Sequence, residues 1–257
     1  MLGPYGEEFS TFAISARCPD TGKYGVAIST RPMCVGARCP FIRPGRGVVV
    51  TMAVTDPRLG PLGLRLLDLG YSAQRVLDEI SASDPHVEYR QLSVIDRDGN
   101  AVARTGSDNK DWSGHFCEPN MVAMGNGLIS ERTASAMADT FRATAGDDLE
   151  ERLMAALEAG RDAGGQHGGQ HSAALLVYRA QEYPLVDLRV DDHAEPIGEL
   201  RRMFDWFQPL VPFYAERCNN PRVGRHKDWL KARGIERQFG VPPAHVAAAR
   251  AAGKGPA

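Results

Sequence analysis

The stretch Thr11-Phe12-Ala13-Ile14-Ser15-Ala16 alternates like a β-strand, and Tyr24-Gly25-Val26-Ala27-Ile28-Ser29-Thr30 reads as a second one. Between them Cys18-Pro19-Asp20-Thr21-Gly22-Lys23 supplies a turn, so the pair predicts a β-hairpin. Phe41 to Gly47 leads into Val48-Val49-Val50-Thr51-Met52-Ala53-Val54, a near-continuous apolar run that predicts a strand buried on both faces. Helical spacing follows over 62–70, with Gly70 at the C-terminal end, and over 72–80, with Ser72 as N-cap. Strands return at 90–95 and 101–105, around the turn Asp96-Arg97-Asp98-Gly99-Asn100, and again at 121–126. Amphipathic helices are expected at about 131–144 and 147–163, strands at 172–178 and 185–190, and a last helix from Ile197 to about Tyr214. This order is not βαβ alternation. It predicts an α+β fold in which two stacked, mainly antiparallel sheets lie between helix pairs, a four-layer α-β-β-α sandwich.

The 257 residues, 43% hydrophobic and 24% charged, suffice for one substantial core. Residues 1–10 read as an irregular leader, 11–215 as the folded domain, and 216–257 as a basic, Pro- and Ala-rich tail or oligomerisation arm. The net charge of -2 offers no basic field for nucleic acid. No apolar run approaches the roughly 20 residues of a membrane span, and the N-terminus lacks the pattern of a signal peptide. A cytoplasmic protein is expected. The five cysteines are an odd number without export signals, which argues against a disulfide framework, and Cys34 and Cys39 are read as buried free thiols rather than metal ligands. Neither a P-loop nor a dinucleotide fingerprint occurs, and no cofactor or metal is expected. The run of Phe204, Trp206, Phe207, Leu210, Val211, Phe213 and Tyr214 fits either core packing or a homo-oligomer contact.

Several segments together resemble a known family. They are Thr11-Phe12-Ala13-Ile14, Gly25-Val26-Ala27-Ile28-Ser29, Val35-Gly36-Ala37 and Arg90-Gln91-Leu92-Ser93-Val94-Ile95-Asp96, then Trp112-Ser113-Gly114-His115, Gly125-Asn126, Ser172-Ala173-Ala174-Leu175 and Asp187-Leu188-Arg189-Val190-Asp191. In this order and spacing they are similar to the domain-of-unknown-function 1028 family, from about residue 11 to about 215. The resemblance implies an N-terminal-nucleophile (Ntn) hydrolase type of fold, related to proteasome β-subunits. It implies no defined activity, since fold transfers more readily than function.

Thr11 opens the first strand, where an Ntn hydrolase carries its nucleophile. There the residue's own α-amine, with a pKa of about 8, serves as general base. That role requires cleavage between Ser10 and Thr11; otherwise Thr11 is a strand-edge hydroxyl, or water attacks in its place. His115 follows Trp112-Ser113-Gly114 in an expected loop and is a candidate acid–base group or a solvated imidazole. Gly164-Gly165-Gln166-His167-Gly168-Gly169-Gln170-His171 is too glycine-rich for a helix. Relative to the family pattern, His171 stands where Gln is expected and His167 replaces a basic residue. His171 is read as a pocket residue that contacts substrate or relays a proton, with a His167/His171 metal pair as the alternative. Ser29, Arg31, Arg90, Asn126 and His167 are candidate substrate contacts. Arg31 and Arg90 would hold a carboxylate or an oxyanion, and Asn126 would donate to one. Each is also explained as an ion-pair partner or a turn residue.

These residues fit a hydrolase acting on a C–N bond of a small polar catabolite, by amide or cyclic-amide hydrolysis or by imine/enamine deamination. A non-catalytic binding or assembly module of the same fold, and a His-dependent metallohydrolase, are the alternatives.

Overall fold

A computed structural model describes residues 10–110 and 112–235. Residues 1–9 of the expected leader, Asp111 and the end of the tail, 236–257, lie outside the described residues.

The chain forms two compact units, one running through Trp206 and one from Phe207 onward. In the first, strands β1 (Thr11–Arg17) and β2 (Tyr24–Thr30) make the expected hairpin, with Thr11 directly opposite Thr30. β1 also pairs with β8 (Met121–Leu128), and β8 with β7 (Trp112–Glu118). β2 pairs with β9 (Ser172–Tyr178), and β9 with β10 (Val186–Val190). This six-stranded antiparallel sheet has the order β10-β9-β2-β1-β8-β7. The second sheet, β3-β4-β5-β6, is built from β3 (Pro40–Arg43), β4 (Gly47–Ala53), β5 (Arg90–Asp96) and β6 (Ala101–Thr105).

Strand alternation divides the side chains of β1 and β2 between two cores. Ala13, Val26 and Ile28 pack with Val48, Val50, Met52 and Ile95 of the other sheet and fill the layer between the sheets. On the outer side of the four-stranded sheet, Val49, Leu92 and Val94 pack under α1 (Leu59–Asp68) and α2 (Ala73–Ala82). Helices α3 (Arg132–Ala143) and α4 (Leu149–Asp162) cover the six-stranded sheet. The result is the four-layer α-β-β-α sandwich that the element order requires. Each large apolar side chain taken out of water adds about 1.5–3 kcal/mol.

Local chemistry sets the element ends. Ser72 Oγ accepts the Arg75 N–H at the start of α2. Asp96 accepts N–H bonds from Asp98 and Asn100 in the β5–β6 turn, and from Ala73 at the N-terminus of α2. One carboxylate thus ties a hairpin to a helix.

Two expectations needed correction. The segment around His115 is the strand β7, not a loop. It lies at the sheet edge, is half exposed, and carries a bulge between Trp112 and Gly114, so its polarity does not alternate. The last helix is broken: α5 (Pro196–Phe207) gives way to a 3-10 turn at Gln208–Leu210, and α6 (Val211–Asn219) follows. Pro209 and Pro212 lack the N–H that a continuous helix would use. In the second unit Phe213, Leu210, Leu230 and Trp229 form a small core, with α7 (His226–Lys231) contributing the last two. Trp229 Nε1 donates to Glu216 at 3.0 Å.

Candidate active site

The site is built where β1 begins, β2 and β8 end, and β9 begins. Thr11 Oγ1 and Thr30 Oγ1 lie 2.8 Å apart. Thr30 Oγ1 also donates to the Ser10 carbonyl oxygen at 2.8 Å. A carbonyl only accepts, so Thr30's single proton is committed there. Thr11 must therefore be the donor in the hydroxyl pair. The Ser10 carbonyl receives a second donor, the Arg31 backbone N–H, at 3.4 Å. In an antiparallel ladder successive residues turn their backbone groups to opposite neighbours. Ser10 faces β2 through its bond from Arg31, so Thr11 turns its own N–H toward β8, where its register partner is Asn126. The Ser10–Thr11 peptide bond thus has its carbonyl held from one strand and its nitrogen turned to another.

Asn126 is 1% exposed, and its Nδ2 donates to Gln91 Oε1 at 3.1 Å. Gln91, fully buried on β5, directs its Nε2 at Gly125 O (2.9 Å), Gly114 O (3.0 Å) and Thr105 Oγ1 (2.9 Å). It crosses the layer between the sheets and fixes the orientation of Asn126. The next residue, Gly127, has φ +59°, and a Cβ there would sit 2.6 Å from Ser10 Oγ. Its N–H donates to Ser113 Oγ at 3.3 Å.

The glycine-rich segment closes this end. His167 N donates to Gly127 O and His171 N to Thr30 O, both at 2.9 Å. Gly165, Gly168 and Gly169 have φ of +61°, +75° and +76°, conformations a side chain would strain. The Arg31 guanidinium lies against Gly168, in the space a Cβ would need. The His171 ring is 3.6 Å from the Asp192 carboxylate. Arg31, His167 and His171 therefore belong to the segments that meet at the Thr11 end.

Other candidates sit elsewhere. Ser29 follows the opposite parity to Thr30, and its hydroxyl, fully buried, donates to Ser172 O at 2.9 Å. Arg90 is buried and donates to Asp84 at 2.8 Å and to the Val54 carbonyl, bracing the ends of β4 and β5. Burial raises the pKa of Asp84, but the Arg90 bond and the His86 N–H outweigh it and hold the carboxyl below its usual range. His115 Nδ1 is 2.9 Å from Thr105 Oγ1, in a groove of about 470 Å³ lined also by Gln74, Leu77 and Asp78. Burial lowers its pKa, which leaves a neutral imidazole at pH 7. Hydrogen bonds lead from it through Thr105 and Gln91 to Asn126, the register partner of Thr11. Among the described residues no three His, Cys, Asp or Glu side chains gather into a metal-holding group.

Two residues at this end carry no mark in the sequence reading, Thr30 and Gln91, whereas Ser10 enters it as the far side of the bond before Thr11. The hairpin register carried a signal for Thr30, since a turn over 18–23 sets it opposite Thr11. Gln91 carried no such signal, since Ser93 two residues on is equally polar and uncharged in the same strand.

A family model described as "Family of unknown function (DUF1028)" matches residues 11–200. A crystal structure of a protein from Silicibacter pomeroyi, assigned to the same family, is 34% identical with a TM-score of 0.72. The match covers 77% of this chain and 86% of that one. Anbu (ancestral beta-subunit) from Yersinia bercovieri and an Anbu mutant from Hyphomicrobium sp. strain MC1 are each 12% identical. Both matches cover 80% of this chain, and 97% and 98% of the Anbu chains. Their TM-scores of 0.33 and 0.36 are too low to carry an argument. No curated protein matches the chain. No helix among the described residues is long and apolar enough to cross a membrane.

Proposed function

This chain belongs to the DUF1028 family, and we propose that it hydrolyses a C–N bond in a small polar substrate, with Thr11 as the attacking residue. The observation that carries this reading is the hydrogen-bond chain from Thr11 Oγ1 through Thr30 Oγ1 to the Ser10 carbonyl. The hydroxyl and the bond that must open for its α-amine to be freed share one short relay. The Ser10 carbonyl also has two donors, from Thr30 and the Arg31 N–H, placed to hold negative charge on its oxygen.

In the first step Thr11 Oγ attacks the Ser10 carbonyl carbon. A C–O bond forms, the C–N bond breaks, and the hydroxyl proton ends on the Thr11 nitrogen. Water then hydrolyses the resulting ester, leaving a carboxylate on Ser10 and a free hydroxyl and amine on Thr11. That amine, with an ordinary pKa of about 8, takes the hydroxyl proton in each later turnover. Arg31 is assigned to a substrate carboxylate or the developing oxyanion, and His171 and His167 to substrate contact and proton transfer. Removal of ammonia from a nitrogenous catabolite is the specific form of this reaction.

Intact-mass measurement, together with an ammonia assay over small primary amides and N-unsubstituted imines and mass detection of ring opening for cyclic amides, tests the proposal. The expected result is a chain beginning at Thr11 that releases ammonia, with both properties lost in Thr11→Ala. A chain that keeps Ser10, or turnover in Thr11→Ala equal to wild type, would overturn it.

A further inference from the structure

The donor side of the Asn126 amide is satisfied and its acceptor side is not. The orientation follows from chemistry. Gly114 O and Gly125 O are carbonyls, so Gln91 must present its Nε2 to them. Its Oε1 is then left facing Asn126, which must answer with Nδ2. Asn126 Oδ1 is thereby turned away from Gln91, and it finds no donor among the described residues although it is buried. An acceptor in that condition has given up its hydrogen bonds to water and received none in return. Asn126 is also the register partner of Thr11 on the side to which the Thr11 nitrogen turns. Residues directly opposite on one face have Cβ atoms about 5 Å apart. While Thr11 is in peptide linkage its nitrogen has one proton, which the ladder directs to β8's backbone. Once freed, the same nitrogen carries two or three.

We infer that Asn126 Oδ1 is the seat of the α-amine released at Thr11, and that Gln91 acts as a positioning residue by locking the Asn126 amide with its acceptor toward that nitrogen. This rests on the proposed freeing of Thr11 and adds a residue that holds the base in place. The empty acceptor in the uncleaved chain is the mark of a site completed by its own processing. A neutral acceptor beside the nitrogen favours the ammonium over the amine and orients it beside the Thr11 hydroxyl.

The rate of carbamylation by cyanate of the peptide that begins at Thr11, followed against pH in the full chain, reads the amine directly and needs no substrate. In Asn126→Leu the midpoint moves to lower pH than in wild type, and in Asn126→Asp to higher pH. At a fixed pH below the midpoint the two variants differ from wild type in opposite senses by about threefold or more. Loss of packing alone cannot produce opposite shifts. Gln91→Met, which frees the Asn126 amide to rotate, shifts the midpoint in the same direction as Asn126→Leu and serves if that variant does not fold. Coincident midpoints in chains that do begin at Thr11 would overturn the inference while leaving the proposed hydrolase intact. Chains that all retain Ser10 would overturn both.

Discussion

Thr11 and Thr30 face each other across the first hairpin with their hydroxyl oxygens 2.8 Å apart, and the direction of that bond is settled by Thr30's commitment to the Ser10 carbonyl. Thr30→Val keeps the shape and removes the relay. It leaves the Thr11 hydroxyl and one lobe of the Ser10 carbonyl without partners, at about 1–3 kcal/mol for each buried group. Cleavage between Ser10 and Thr11 should slow by about tenfold or more, read as a time course of intact mass. An unchanged rate would remove Thr30 from the process.

Gly127→Ala should disturb the uncleaved chain more than one that already begins at Thr11. The new Cβ would meet Ser10 Oγ at 2.6 Å, and the φ of +59° adds strain of about 1–2 kcal/mol. Without Ser10 only the strain remains. Thermal unfolding of the two forms, each against its own wild type, separates the contributions. Equal losses would mean that the approach to Ser10 is unimportant.

Asp96 gives the fold a defined acid limit. Burial pushes its pKa up, but the Asn100 side chain and the N–H groups of Ala73, Asn100 and Asp98 hold it below the usual range. A depressed carboxyl stabilises fully above its unfolded pKa of about 3.9, and the contribution is lost as pH falls through the folded value. Asp96→Asn should be about 2 kcal/mol less stable than wild type at pH 7. The deficit should shrink below about pH 4, because wild type then loses what the variant never had. Urea unfolding at pH 7, 4 and 3 checks this; a constant deficit would refute it.

Lys23 and Glu150 form a buried ion pair at 2.9 Å that joins the end of the first hairpin's turn to α4. Lys23→Met strands the Glu150 carboxylate and should lower stability by about 3–5 kcal/mol, and a further Glu150→Leu should restore most of it. Chemical denaturation of the single and double variants decides; a double variant as unstable as the single one would contradict the argument.

The layer order was legible because its periods are strong. The hairpin at 11–30 is marked by its turn between two strand-like runs, and the run at 48–54 reads as a strand because it is short and rich in valine. Trp112–Glu118 was not legible, because an edge strand with a bulge and two half-wet faces has no alternation to detect. Among the candidates, Thr11 is read from its place at the head of a strand, and Arg31, His167 and His171 from their neighbours. Arg90 stood out by charge alone, yet that charge serves Asp84. Gln91 went unmarked because its importance lies in which carbonyls face it across the sandwich, and no local pattern encodes such long-range partners.

The lock between Gln91 and Asn126 has a consequence for how related chains can diverge. Two backbone carbonyls dictate one amide, and that amide dictates the next. A substitution at either position alone leaves the other side chain with the wrong group turned inward. Positions 91 and 126 should therefore behave in evolution as a single two-letter character, inherited or replaced together, even though 34 residues lie between them in the chain.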